Sequence, residues 1–286
     1  FKHLMPNDVW TADGHKFDAE VAHPMHKRPI RPEVTMIVDV ATRKAVGWSV
    51  DLAESGFAVL DAPTVRALSG ASAAGVAALA ADWDQLAPDD YLKDGGRYRQ
   101  RRHASFIADA GEVQDVAYRP HWQPLDYNAL HGGMERWFAP VAPATLAQAD
   151  WRALLRWLAR VADALQGTQP WYGQAHQFRI DTVDGIGRPT PEGAHRDGVD
   201  LVAVFLIERE GVKGGETRVF EAAAPAGERF TLTAPWSLLL LDDARMVHES
   251  TPIQPLLDAG HRDTLVLTCR RGSFQGLEAL PSATDG

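Results

Sequence analysis

The apolar positions of this 286-residue chain fall into three successive textures. Residues 1 to about 55 read as short β-elements between polar turns. Glu33 to Val40 (EVTMIVDV) and Ala45 to Leu52 (AVGWSVDL) flank the polar link Ala41–Lys44, which predicts a hairpin. Pro24, Pro29 and Pro32 keep the preceding stretch irregular. From Pro63 to about Leu86 the chain is alanine-rich and predicts helix. Leu154, Leu158, Val161 and Leu165 recur at helical spacing, one apolar stripe that Gly167 should end. After Trp171 the pattern shortens to strands, expected at His176–Val183, Val199–Glu208, Glu216–Phe220, Arg229–Thr233, Ser237–Asp242 and Thr264–Arg270. Turn signals at Gly211, Gly214, Gly215 and Pro235 make these sheets antiparallel. The expected class is therefore mainly β with flanking helices, a jelly roll backed by helices.

Composition narrows the function classes. Hydrophobic residues at 45% and charged residues at 23% describe an ordinary globular chain. A net charge of −9 lacks the basic footprint of duplex binding, so no nucleic-acid partner is expected. Cys269 is the only cysteine, which excludes an intramolecular disulfide and a cysteine-rich zinc site. No apolar run approaches the roughly 20 residues of a membrane helix. The opening residues show no signal-peptide pattern, so a cytoplasmic location is expected.

The chemistry concentrates in Glu192-Gly-Ala-His195-Arg-Asp197-Gly-Val. Side chains at i and i+2 of an extended chain share a side, so His195 and Asp197 can converge on one ion. Far downstream, the apolar run Leu238–Leu241 leads through Asp242 and Asp243 to His248. Two histidines and a carboxylate on one octahedral face leave three positions for substrates, the facial triad of Fe(II) oxygenases. Arg262 then opens the last strand, and its planar fork suits the far carboxylate of 2-oxoglutarate. Thr264, at i+2, can turn its hydroxyl to the same group.

The stretches PEGAHRDGV (Pro191–Val199), GGETRVF (Gly214–Phe220), LLDDARMVH (Leu240–His248) and RDTLVLT (Arg262–Thr268) carry a family resemblance, as does YLKDGGRYRQRRHASF (Tyr91–Phe106). Over roughly residues 57–280 the chain resembles the bacterial 2-oxoglutarate/iron dioxygenases that include free L-isoleucine hydroxylases. The resemblance implies a double-stranded β-helix of the cupin-like kind, with Fe(II) on His195, Asp197 and His248. It implies 2-oxoglutarate and O2 as cosubstrates, succinate and CO2 as by-products, and a small-molecule substrate, a free aliphatic L-amino acid. A carboxylate at Asp197, where the superfamily's halogenases carry a small residue, implies hydroxylation or sulfur oxidation.

The first texture resembles something else. TADGHKF and EVTMIVDVATRKAVGWSVDLAES are similar to the start of a Mu-like transposase or integrase core, with Asp13 at the first acidic metal site. Two-metal chemistry needs further carboxylates, and the rest of the chain does not supply them in that context. The expected organisation is thus a truncated, partial RNase H-like segment over 1–55 and a dioxygenase domain over 56–286.

Plainer readings compete at each position. His195, Asp197 and His248 can form a hydrogen-bonded structural trio, and Arg262 a surface ion pair. Arg97, Arg99, Arg101 and Arg102 read first as a solvated face, with one substrate-carboxylate contact as the alternative. Gln177 and Arg179 either line the pocket or fill ordinary sheet positions, and Arg179 and Arg218 are the reserve candidates for 2-oxoglutarate. His3, His15, His23 and His26 suggest adventitious metal affinity, and Cys269 a small apolar strand residue. The competing functions are a DNA transposase or integrase fragment and a β-barrel metal- or sugar-binding protein without oxygenase activity.

Overall fold

A computed structural model describes residues 10–16, 21–22, 29–30, 33–39, 45–49, 52–128, 130–223 and 227–276. It divides into two bodies, Phe1–Ala58 and Val59–Gly286. The first contains β1 (Trp10–Lys16), β2 (Val21–Ala22), β3 (Pro29–Ile30), β4 (Glu33–Asp39), β5 (Ala45–Ser49) and α1 (Leu52–Ser55). β4 pairs antiparallel with β1 and with β5, the latter being the expected hairpin partner. Asp13 and His15 fall on β1. The link Ala41–Lys44, Pro24, Pro32, His3, His23 and His26 lie outside the described residues.

The division falls inside β6 (Phe57–Leu60). The predicted helix over 63–86 is broken into two. Asp61 accepts the Thr64 N–H (2.8 Å) to start α2 (Ala62–Ser69), which ends at Gly70 in the left-handed region (φ 78°). Ser72 then accepts the Gly75 N–H (2.9 Å) and starts α3 (Ala73–Ala80), followed by a 3-10 turn over Ala81–Gln85. After α4 (Pro143–Leu146) comes α5 (Ala149–Gln166), whose terminus Gly167 caps. Its buried stripe is Trp151, Leu154, Leu155, Leu158 and Ala162; Val161 and Leu165 sit half-buried at its margin. Among the described residues no single helix is long and apolar enough to cross a membrane.

The remaining strands are β7 (Ala87–Pro88), β8 (Arg99–Asp109), β9 (Glu112–Asp115), β10 (Trp171–Asp181), β11 (Leu201–Glu210), β12 (Val212–Gly214), β13 (Thr217–Glu221), β14 (Gly227–Phe230), β15 (Leu238–Asp242), β16 (Met246–Ser250), β17 (Ile253–Pro255) and β18 (His261–Arg270). The large sheet runs β6-β15-β11-β18-β10-β8-β7, with β9 on β8; smaller sheets are β14-β13-β16 and β12-β17. All the registered pairs are antiparallel, and the architecture is a double-stranded β-helix with helices on its flank.

Two findings differ from the sequence reading in ways that matter for chemistry. β8 was not expected, because its inward positions carry Arg99, Arg101 and His103 rather than an apolar alternation. β18 starts at His261, so Arg262 is inside the strand and paired with Ile180 and Arg209, not at its mouth. On the central strands the period of two separates a polar face from an apolar one. Arg262, Thr264, Val266 and Thr268 turn to the cavity, while Leu265, Leu267 and Cys269 are fully buried on the other side, where α5 packs against β18.

Candidate active site

His195 lies in the loop before β11, and His248 on β16. Their backbones exchange both hydrogen bonds, His195 N–H to His248 O (3.0 Å) and His248 N–H to His195 O (2.9 Å). This isolated bridge fixes one imidazole against the other, with ring centroids 4.6 Å apart. Asp197, two residues on, brings Oδ1 to 3.6 Å from His195 Nε2. One ligand atom from each of the three lies within 4.8 Å of the others.

The loop that carries His195 and Asp197 is held from β15's end. Asp243, fully buried, accepts the N–H groups of Asp197 (2.9 Å), Gly198 (2.8 Å) and Val199 (3.0 Å). Three successive donors can face one carboxylate because Gly198 takes φ +76°, a conformation that an L side chain rarely adopts. Gln275 Nε2 donates to the carbonyls of Asp197 (3.0 Å) and Gly198 (2.8 Å), closing the loop from the other side.

Tautomers and charges follow from these contacts. His195 Nδ1 is 3.0 Å from the Gly193 carbonyl, which only accepts, so Nδ1 carries a proton and Nε2 is the nitrogen that would face a metal, its own proton being the one that the metal displaces. Burial works against a charge on His195, but the bond and charge of Asp197, with Glu192 behind, raise its pKa to about 9. Burial also opposes the Asp197 carboxylate, and His195 wins, holding it below the usual range. Burial pushes His248 down to about 4, with the charge of His195 adding to it. Burial and then the Asp197 charge push Asp243 up to about 7. The site therefore keeps a carboxylate charged beside two imidazoles in a dry setting, a donor set that fits Fe(II).

A cavity of about 130 Å³ opens beside this trio, between the large sheet and β16. Arg262 and Thr264 line it, each 4% exposed. Arg262 Nε has no hydrogen-bond partner, and burial, followed by the charge of Arg209, pushes the guanidinium down to about 10. The reading of Arg262 as a surface ion pair thus fails on burial. Arg179 and Arg218 are not in the cavity. Arg179 is committed to Asp263 (2.7 and 2.9 Å) on the outer face it shares with Gln177, and Arg218 to Glu216 and Glu249.

The basic cluster is also not a solvated face. Arg97 is exposed, and Arg102 donates to the carbonyls of Gln85 (2.9 Å) and Pro140 (2.8 Å). Arg99 and Arg101, 5% and 4% exposed, line the cavity and share buried Asp89 at 2.7 and 3.6 Å. Arg101 also lies over the rings of Phe138 (3.5 Å) and Phe178 (4.4 Å) and donates to His176 Nδ1 (2.8 Å).

Sequence reasoning missed much of the wall. His103, His121 and His176 form a second close histidine group with ligand atoms within 4.8 Å. Burial and the charge of Arg101 hold all three well below their ordinary pKa, so they are neutral. Among the described residues no carboxylate joins them, and Arg101 already donates to His176, which disfavours a second dication. Arg136, Glu192, His131 and Gln123 also line the cavity. Arg136 sits on an irregular segment bridged to His121, which no periodicity marks.

The barrel, the His-Asp-His trio and the buried arginine beside it fit an oxygenase of the non-haem iron kind. A family model described as 2OG-Fe dioxygenase matches residues 80–268, and the chain belongs to that family. Its enzymes use Fe(II) and 2-oxoglutarate. Among solved structures, a BsmA homolog from Methylobium petroleophilum is 52% identical, covers 78% of this chain and 92% of its own, and superposes with a TM-score of 0.75. IDO from Bacillus thuringiensis is 16% identical (77% of this chain, 95% of its own, TM-score 0.62). The Fe(II)/α-ketoglutarate-dependent dioxygenase TqaL is 19% identical (77% and 84%, TM-score 0.61). The last two establish the shared fold alone. No curated protein matches the chain.

Proposed function

We propose that His195, Asp197 and His248 hold the Fe(II), that Arg262 and Thr264 bind the far carboxylate of 2-oxoglutarate, and that the enzyme hydroxylates, or oxidises at sulfur, a free aliphatic L-amino acid. The observation that carries this reading is the pairing of a convergent His-Asp-His trio with a buried, anion-free arginine in the same cavity. When bound, the metal and its cosubstrate supply the oxidising power, with succinate and CO2 released. The chain's own work is positional. The His195–His248 bridge and Asp243 fix the ligand geometry, Arg262 orients the cosubstrate, and the buried walls exclude water. Arg99, Arg101 and Arg136 give the rest of the cavity a cationic lining suited to a carboxylate substrate.

The test has two arms. Mn(II) binding is measured calorimetrically for the wild type, His195→Ala and His248→Ala, with folding checked by circular dichroism; unchanged affinity in both variants overturns the triad. A panel of small metabolites is then incubated with Fe(II), 2-oxoglutarate and O2, and mass spectra are searched for products one oxygen heavier. Turnover confined to peptides or nucleobases overturns the amino-acid assignment.

A further inference from the structure

Among the described residues, two arginines of the cavity are buried without an ion-pair partner. One is Arg262. The other is Arg136, 2% exposed, which donates to Gln123 Oε1 (2.9 Å) and whose Nε has no hydrogen-bond partner. Arg99 and Arg101 differ, because Asp89 balances them. A buried cation without a counter-charge is unfavourable unless a ligand completes it. With Arg262 given to 2-oxoglutarate, Arg136 calls for a second anion. Its backbone cannot drift to find one within the protein, since Arg136 and His121 exchange both N–H···O bonds at 2.9 Å.

The same cavity holds an orphan of the opposite sign. Glu192 has 12% side-chain exposure, its Oε2 is buried with no partner, and its Oε1 is 3.7 Å from His195 Nε2. A carboxylate oxygen only accepts, so it calls for a donor, and an ammonium is the donor that also balances charge. Burial lowers the Arg136 pKa to about 10 against the charges of Asp89, Glu192 and Asp197, yet among the described contacts none of these carboxylates forms an ion pair with it. The space is thus bounded by an arginine with a free Nε on one wall and, on another, a carboxylate whose Oε2 is free while its Oε1 faces His195.

We propose that Arg136 and Glu192 recognise both charged ends of a free α-amino acid, the carboxylate on Arg136 and the ammonium on Glu192. This rests on the hydroxylase reading above and adds the residues that select the substrate class. A fatty acid would leave Glu192 unmatched, a simple amine would leave Arg136 unmatched, and an internal residue of a peptide would match neither. Discrimination of this kind comes from the unpaired buried group that the wrong ligand leaves behind. Glu192 also places the amino end next to His195, so the same contact that selects the substrate orients it toward the trio.

Protein loaded with Mn(II) and 2-oxoglutarate is titrated calorimetrically with each of the common free L-amino acids. The tightest binder is repeated as its α-amide, which lacks the carboxylate charge, and as its deaminated acid. Arg136→Gln should weaken the amino acid by roughly thirtyfold or more while leaving the amide unchanged. Glu192→Gln should weaken the amino acid while leaving the deaminated acid unchanged. 2-Oxoglutarate affinity should stay at the wild-type value in both variants, and Mn(II) affinity in Arg136→Gln. If Arg136→Gln weakens amide and amino acid equally, its role is structural and the proposal fails. If Mn(II) and 2-oxoglutarate bind but no amino acid does, the proposal fails while the metal and cosubstrate assignment stands. Failure of the wild type to bind Mn(II) and 2-oxoglutarate would instead sink that underlying assignment.

Discussion

Replacing Asp243 by Asn should loosen the loop that carries the proposed metal ligands His195 and Asp197 without touching either side chain. Asp243 Oδ1 accepts the Asp197 N–H, and Oδ2 accepts those of Gly198 and Val199. Asparagine keeps one acceptor oxygen. In its better orientation the amide nitrogen replaces Oδ1 and meets the Asp197 N–H donor to donor. Above its pKa of about 7 Asp243 is ionised and its hydrogen bonds contribute about 1.5–3 kcal/mol each; it is fully buried, so water does not restore the loss. At about 1.4 kcal/mol per factor of ten, exchange of the Asp197–Val199 amides should rise about tenfold to hundredfold. Mn(II) affinity should fall over a similar range, as when the outer partners of metal ligands are removed, by about 10–100-fold. Hydrogen–deuterium exchange on peptides covering 195–200, with a parallel Mn(II) titration, reads both effects. Asp242→Asn is the control, because Asp242 holds only the exposed Ala244 N–H (3.1 Å). Wild-type exchange and wild-type metal affinity in Asp243→Asn would refute the idea that this carboxylate organises the site.

Arg262→Lys keeps the charge but loses the planar fork, so the apparent constant for 2-oxoglutarate should rise well beyond twofold while Mn(II) affinity holds; a change within twofold means another group binds the cosubstrate. Asp89→Asn should cost about 3–5 kcal/mol at neutral pH, because it strands buried Arg99 and Arg101. Burial opposes the Asp89 charge, but Arg101 and Arg99 hold its pKa below 3.8, so its contribution is present above that value and lost as pH falls through the folded value. Denaturation curves of wild type and variant should therefore converge on acidification, and a constant gap would count against the ion-pair account. Deleting residues 1–55 keeps β6 and the whole of the second body, so 2-oxoglutarate turnover should persist; a large loss in a folded product would show that the segment serves the active site.

The strands that could be read in the sequence are those whose two faces differ in polarity or whose apolar run is continuous. β11 and β15, LVAVFLIERE and LLLLD, are of that kind, and their expected positions shift by only a few residues. β8 is not. Its sequence RQRRHASFIAD places arginine and histidine at buried positions, and a buried arginine looks like a solvated one until its partner is known. That partner is Asp89, which precedes the strand and is held by Arg99. The helical stretch failed for a different reason. Its alanines favour helix throughout, but Gly70 and Ser72 together form a stop and a start, and local capping overrode propensity.

The same distinction explains what was legible in the site. The proposed ligands His195 and Asp197 can be singled out because an i, i+2 pair on extended chain is a local geometric statement, His248 because it follows the apolar run Leu238–Leu241, and Arg262 because it sits two residues from Thr264 on one strand face. Arg136 and Glu192 carry no such local mark. Each becomes informative only through what it lacks in three dimensions: an anion near Arg136, a donor near Glu192 Oε2. Counting partners requires knowing every neighbour, and neighbours come from β8, β10, β16 and two irregular segments at once. Metal and cosubstrate chemistry is therefore written in short motifs, since ligands of one ion must lie close along few strands. In the proposed reading, substrate recognition falls to Arg136 and Glu192, on separate parts of the cavity wall. The reaction type can thus be read from the sequence, while the proposed choice of substrate rests on polar atoms left without partners in the folded cavity.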